Sequence, residues 1–427
     1  MDNDRPNPLD LPGRDACVIR ITHIKFNFDP TAHSADALNI RIDRTHEVLV
    51  PEWNETLFLP QHSRAAYALE PTRNRTIFIQ CRFEITPAHA SQTATVKATG
   101  GGILGAIDPV TVHFVNGVSN DTSHTGDHEY VQIPLNHRCF NAITRTDIQW
   151  EWSYRCPKTH AWRQMDQPTR HRIYVVLDVP PAPWSQTTAQ IYPWTTALDY
   201  AIVAANTSSI SDPSEAAALI VKHVNGEPLQ YDIWNGAPAY YDSWTKTFSI
   251  DAWLGGFTAG PVVNCYDCAS ALTTFSNVLG CQLSYQFHNS FGCLNPVYPI
   301  GRGLCNNPFY GSSAAPYNVP LVGLDDFRRT SFGNHAYAKQ TGGNNFDGCM
   351  RASLGCLASL AYFLLGLLVL VFTLGFGASI ARRLFMKAAG WLIDMSQTEY
   401  NRVVVDTSTP NEAAFNGGVP VSQPLGI

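Results

Sequence analysis

VVNCYDCASALTTFSNVLG, residues 262–280, is the stretch on which the reading of this chain turns. It passes from an apolar, strand-like approach into a segment where Ala269, Leu272, Phe275 or Ser276, and Leu279 fall along one helical face. Asn264 fits the N-cap and Gly280 the residue after the last turn. Cys265 is thereby expected at the first helical position, where unsatisfied backbone N–H groups and the positive end of the helix dipole favour a thiolate. A cysteine that is to attack a carbonyl needs that environment.

A thiolate nucleophile also needs an imidazole beside it and a third group to orient the imidazole. NHAYAKQTGGNNFDGC, residues 334–349, supplies both in one short hairpin. With a three-residue loop at Gln340–Gly342, Lys339 faces Gly343, Tyr337 faces Asn345, and His335 faces Asp347 on one side of the sheet. A slip of one residue would put the histidine and the carboxylate on opposite faces. Trp253 or Trp244 is a candidate indole donor to an oxyanion, beside the backbone N–H of Cys265.

Cys265, the aromatic Tyr266 after it, Ala269, and Leu279-Gly280 closing the helix resemble the nucleophile helix of the transglutaminase-like cysteine enzymes, within the papain-like group. His335 and Asp347 match that family in their order and strand-turn-strand setting, over roughly residues 200–350. Tyr337 stands where members often carry tryptophan. The resemblance implies a catalytic set of Cys265, His335 and Asp347 acting on amides of a protein or peptide, through an acyl-enzyme resolved by water or an amine. It implies no cofactor, and no acidic loop has calcium-ligand spacing.

Two other classes compete. Cys265 and Cys268 form a C-x-x-C, which redox pairs also place at helix starts, or which could be half of a metal site. No second tight pair accompanies it, since Cys281, Cys293, Cys305 and Cys349 are spread out. A scaffold or adhesion protein that keeps the fold without turnover is the third reading. His288 could compete with His335 as the base, but it has no acidic neighbour in a hairpin.

Working outward, Cys17 to Val179 reads as short strands rich in β-branched and aromatic residues, such as TIFIQCRFEI and DIQWEWSYR. The expected fold is α+β: a polar, disordered N-terminus over 1–16, an antiparallel β-sandwich over 17–185, and a transglutaminase-like domain over 190–350. PPAPWSQ, from Pro180, marks the boundary, and DPSEAAALIVKHV opens a helix with Asp212 as cap and Pro213 in the first turn. MDNDRPNPLDLPGRDA lacks the apolar core of a secretory leader.

Residues 357–381 carry no charge and exceed the roughly 20 residues that cross a bilayer. They predict a single transmembrane helix, hence a membrane location with the lipid bilayer as a partner. Arg382, Arg383 and Lys387 give a modest bias toward a cytoplasmic tail, while the side of the catalytic domain stays open. Residues 382–395 are read as a basic amphipathic juxtamembrane segment and 396–427 as a disordered tail. The 427 residues, 45% hydrophobic, suffice for packed cores, and a net charge of −6 without a basic run excludes nucleic acid as a partner.

Overall fold

The computed structural model describes residues 17–157, 161–205, 210–257, 260–307, 309–310, 319–323, 326, 328–353, 356–372, 378–389, 395–406 and 421–427. They form two units. One comprises the chain up to Ile40 and Glu47–Val175; the other comprises Arg41–His46 and Val176 onward.

The first unit contains β1 (Val18–Lys25), β2 (Trp53–Asn54), β3 (Arg64–Ala68), β4 (Phe78–Thr86), β5 (Thr93–Gly100), β6 (Ile107–Val115), β7 (Val118–Ser119), β8 (Tyr130–Pro134), β9 (Thr144–Arg155), β10 (Arg163–Gln164) and β11 (Thr169–Val176), with a short helix α1 (Leu69–Thr72). Alternation drives them: in β9 the buried residues Ile148, Trp150, Trp152 and Tyr154 are spaced by two, with Gln149 exposed between them. They pack against Phe83, Ile79, Val96 and Val112 in one apolar core. The expected two-sheet sandwich is corrected. The strands form one 11-stranded sheet in the order β2-β1-β4-β7-β6-β5-β9-β11-β3, with β10 on β9 and β8 on β4. Its continuity comes from β6, which pairs with β5 over most of its length and with β7 at Phe114 and Val115, while Val118 of β7 pairs onward with Glu84 of β4.

The second unit combines α2 (Thr195–Ala205), α3 (Pro213–Gly226), α4 (Ile250–Leu254), α5 (Cys265–Val278), α6 (Cys356–Phe372), α7 (Ala378–Ala388) and α8 (Gln397–Val404) with the strands β12 (Gln230–Tyr231), β13 (Tyr241–Asp242), β14 (Thr247–Phe248), β15 (Val262–Val263), β16 (Leu283–Gly292), β17 (Val297–Pro299), β18 (Phe332–Gln340), β19 (Asn345–Phe346), β20 (Met350–Ala352) and β21 (Val421–Ser422). α5 is buried along its whole length except at Tyr266 and packs against α2, α3, β16 and β18. Asp212 caps α3 by accepting from the Glu215 N–H, with Pro213 at the start of the helix. The sheet behind α5 runs β19-β18-β16-β21.

The C-terminal part overturns the predicted membrane anchor. No helix among the described residues is long and apolar enough to cross a membrane. The apolar run yields α6, which is 17 residues and ends at Phe372, and α7 returns against it with the Phe363 and Phe385 rings 5.5 Å apart. Gly366 permits the crossing, because a Cβ there would lie 2.8 Å from Phe385 Cε1. Uniform hydropathy reports composition, whereas the described residues of this stretch fall in two helices, α6 and α7, packed against each other. The single-pass membrane location is corrected with it.

The segment read as juxtamembrane falls partly in α7. There Arg382 Nη1 lies 2.6 Å from Glu215 Oε1 and Arg383 Nη1 3.8 Å from Asp212 Oδ1, so its cations face acids of this unit. The tail read as disordered contributes α8, capped by the Ser396 hydroxyl, and β21, which pairs with β16. Residues 1–16 and 407–420 lie outside the described residues.

Candidate active site

Cys265 opens α5. The Asn264 side chain accepts from the N–H groups of Tyr266 (2.9 Å) and Asp267 (3.3 Å), while the Asp267 carboxylate reaches back to the Asn264 N–H at 3.1 Å. This reciprocal cap leaves the Cys265 N–H outside it. Asp267 does more than close the box: its two oxygens also accept from the N–H groups of Ala239, Tyr240 and Tyr241 at 2.7–2.8 Å, tying the loop before β13 to the helix start. Burial pushes its carboxyl up to about 6, against the lowering effect of those donors. At the far end Gly280 adopts φ +84°, where a Cβ would stand 2.4 Å from the Asp178 N atom.

His335 lies on β18 and Asp347 just past β19, both fully buried. His335 Nε2 and Asp347 Oδ2 are 2.9 Å apart. The hairpin register differs from the expected one by two residues: Lys339 pairs with Asn345 and Ala338 with Phe346, so the loop is Thr341–Gly343, with Gly342 at φ +65°. A shift of two keeps every side chain on its face, and the histidine and carboxylate meet as a diagonal pair.

The His335 ring is packed by Phe291 (centroids 4.7 Å apart) and Phe332 (5.7 Å). Burial there disfavours the imidazolium, but Asp347 and Cys265, both acting on the same ring, outweigh it and push the pKa up to about 10. With Nε2 turned to Asp347, Nδ1 is buried without a hydrogen-bond partner among the described residues. Of the three sequence-predicted residues, His335 and Asp347 are in direct contact, while Cys265 stands at the start of α5, the helix that packs against the strand carrying His335.

Neither tryptophan serves the site as expected. Trp253 donates its indole N–H to the Tyr200 hydroxyl at 3.2 Å, and Trp244 is 94% exposed. His288 sits directly opposite His335 in the β16–β18 pairing, buried, with its ring 5.3 Å from Phe291. Cys265, Cys268 and Cys349 are all buried free thiols. Burial holds the Cys349 thiol well above its ordinary range.

Two partners escaped the sequence reading. The Tyr400 hydroxyl donates to Asp347 Oδ2 at 2.6 Å, and the Tyr266 hydroxyl donates to Asn334 Oδ1 at 2.6 Å, joining α5 to β18 one residue before the histidine. Tyr400 lies 53 residues beyond Asp347 and past α6 and α7, so no local pattern links the two.

No protein-family model matches the chain, and no curated protein matches it. Among solved structures it is similar to the crystal structure of red sea bream transglutaminase, with 11% identity over 63% of this chain and 45% of that one and a TM-score of 0.29. The chain spans less than half of that protein's length, and a likeness at this level assigns neither activity nor residues to it.

Proposed function

We propose that this protein performs thiolate-mediated acyl chemistry on amides of a protein or peptide substrate, as a cysteine hydrolase or acyltransferase. The observation that carries the reading is a buried imidazole, His335, engaged by Asp347 at 2.9 Å on a strand packed against the helix whose capped start holds Cys265. Cys265 Sγ attacks the carbonyl carbon and forms the S–C bond, while His335 takes the thiol proton through Nδ1. The oxyanion faces the Cys265 N–H at the positive end of α5. The C–N bond then breaks as His335 returns the proton to the leaving amine. Water or a second amine, deprotonated by the same imidazole, resolves the thioester and releases Cys265. Asp347 holds the ring and balances the imidazolium.

Alkylation of the intact protein by iodoacetamide at neutral pH, followed peptide by peptide, tests this. Cys265 is expected to react at least ~10-fold faster than in the His335→Ala variant, since proton withdrawal by a positioned base contributes about 10²–10⁴-fold. Equal rates in the two proteins would remove the support. A second reading, a scaffold retaining the arrangement without turnover, is favoured by the 3% exposure of Cys265. It predicts slow alkylation that is indifferent to His335.

A further inference from the structure

Asp347 uses its two oxygens differently. Oδ1 accepts from the backbone N–H groups of Cys349 (2.8 Å) and Met350 (3.2 Å), which fixes the carboxylate plane. Oδ2 is shared between His335 Nε2 at 2.9 Å and the Tyr400 hydroxyl at 2.6 Å. A phenol has one proton to donate, and that of Tyr400 is committed to Oδ2.

Tyr400 is fully buried on α8, its ring 5.0 Å from Tyr337. The segment around it is fastened to the site's own strands. Gln397 Oε1 accepts from the Tyr337 hydroxyl and from Asn345 Nδ2, each at 3.0 Å. Asn345 N–H donates to the Met395 carbonyl at 2.8 Å, and Asn295 Nδ2 donates to the carbonyls of Arg402, Val403 and Val405. Arg329 and Asp406 close the far end with a 2.7 Å ion pair whose side chains are each 4% exposed.

We infer that Tyr400 is a positioning residue for the Cys265–His335–Asp347 set, delivered by the segment Met395–Asp406, and that it sets how much negative charge Asp347 presents to His335. The inference rests on the proposed thiol chemistry. A donor on a carboxylate oxygen spreads its charge and weakens its hold on a neighbouring cation. Without the phenol, Oδ2 serves His335 alone, and the imidazolium persists to higher pH. The two backbone donors on Oδ1 keep the carboxylate in place, so the change is in charge rather than in geometry.

The test uses the full chain and iodoacetate, whose negative charge makes its reaction with a thiolate fall off when an adjacent imidazolium loses its proton. The pH profile of Cys265 carboxymethylation, read by peptide mass spectrometry, therefore has an alkaline limb set by His335. Tyr400→Phe is expected to move that limb up by about half to one pH unit, a three- to tenfold change in the ionisation constant. Site-specific 3-fluorotyrosine at position 400, a stronger donor, is expected to move it down. Tyr362→Phe, which removes a 2.9 Å contact to Glu399 on the same helix, leaves the limb in place.

Opposite shifts of the two Tyr400 variants support the assignment, because mere loosening of α8 would not change sign between them. An unmoved limb, or shifts in the same direction, with the limb still abolished by His335→Ala, would overturn the role of Tyr400 and leave the thiol chemistry standing. A native protein without a His335-dependent limb would overturn both.

Discussion

His335 is a residue on which burial and partnership pull in opposite directions, and partnership wins, so its pKa rises from the ordinary 6.5 to about 10. A group with a raised folded pKa binds more protons folded than unfolded between those two values. The stability it contributes is complete below about pH 6.5 and is lost as pH climbs through about 10. Urea midpoints of the native protein are accordingly expected to decline across that window more steeply than those of His335→Gln, and parallel curves would show that the imidazole is not charged in the folded state. At this scale the sequence was most legible for groups whose partners are local. Cys265 with its cap and His335 with Asp347 lie within short windows, whereas Tyr400 is joined to Asp347 only through tertiary packing that no periodicity encodes.

The element that organises the site is α5, and its start depends on one carboxylate. Asp267 accepts four backbone N–H groups, from Ala239, Tyr240, Tyr241 and Asn264. In Asp267→Asn the amide nitrogen replaces one acceptor oxygen and opposes two of those donors. Each unsatisfied buried donor costs about 1–3 kcal/mol, so a loss of about 2–6 kcal/mol is expected in chemical unfolding, with Cys265 alkylation slowed as the helix start frays. A change below about 0.5 kcal/mol, the level of an ordinary surface substitution, would mean that the loop before β13 holds itself. The Asn264-x-x-Asp267 spacing is a capping-box signal that the sequence displays openly; its three further bonds to residues 239–241 are not visible there. The β18–β19 hairpin teaches the complementary point. Its face was legible because alternation fixes parity, while its register was not, because loop placement turned on which glycine takes the positive φ.

Across the whole molecule, the readings that failed were those in which composition stood in for connectivity. The strand-rich half is one sheet because β6 serves two neighbours, and the described part of the apolar run falls in two helices, α6 and α7, that pack on each other. Residues 41–46, embedded in the strand-rich part of the sequence, belong to the second unit, where the Arg41 N–H donates to the Pro193 carbonyl at 2.9 Å. The second unit is also closed by its own C-terminal segment. Arg329→Met removes the charge paired with buried Asp406, and breaking such a pair costs about 3–5 kcal/mol. Thermal unfolding is expected to shift down accordingly, and an unchanged midpoint would place Asp406 in contact with water. The placement of α6 and α7 between Asp347 and Tyr400 has a further consequence in time. Synthesis runs from the N-terminus, so a nascent chain exposes Cys265, His335 and Asp347 before α6, α7 and the Tyr400 segment have emerged. Cys265 is made early and Tyr400 late, so this cluster is assembled in the order in which the ribosome delivers its parts.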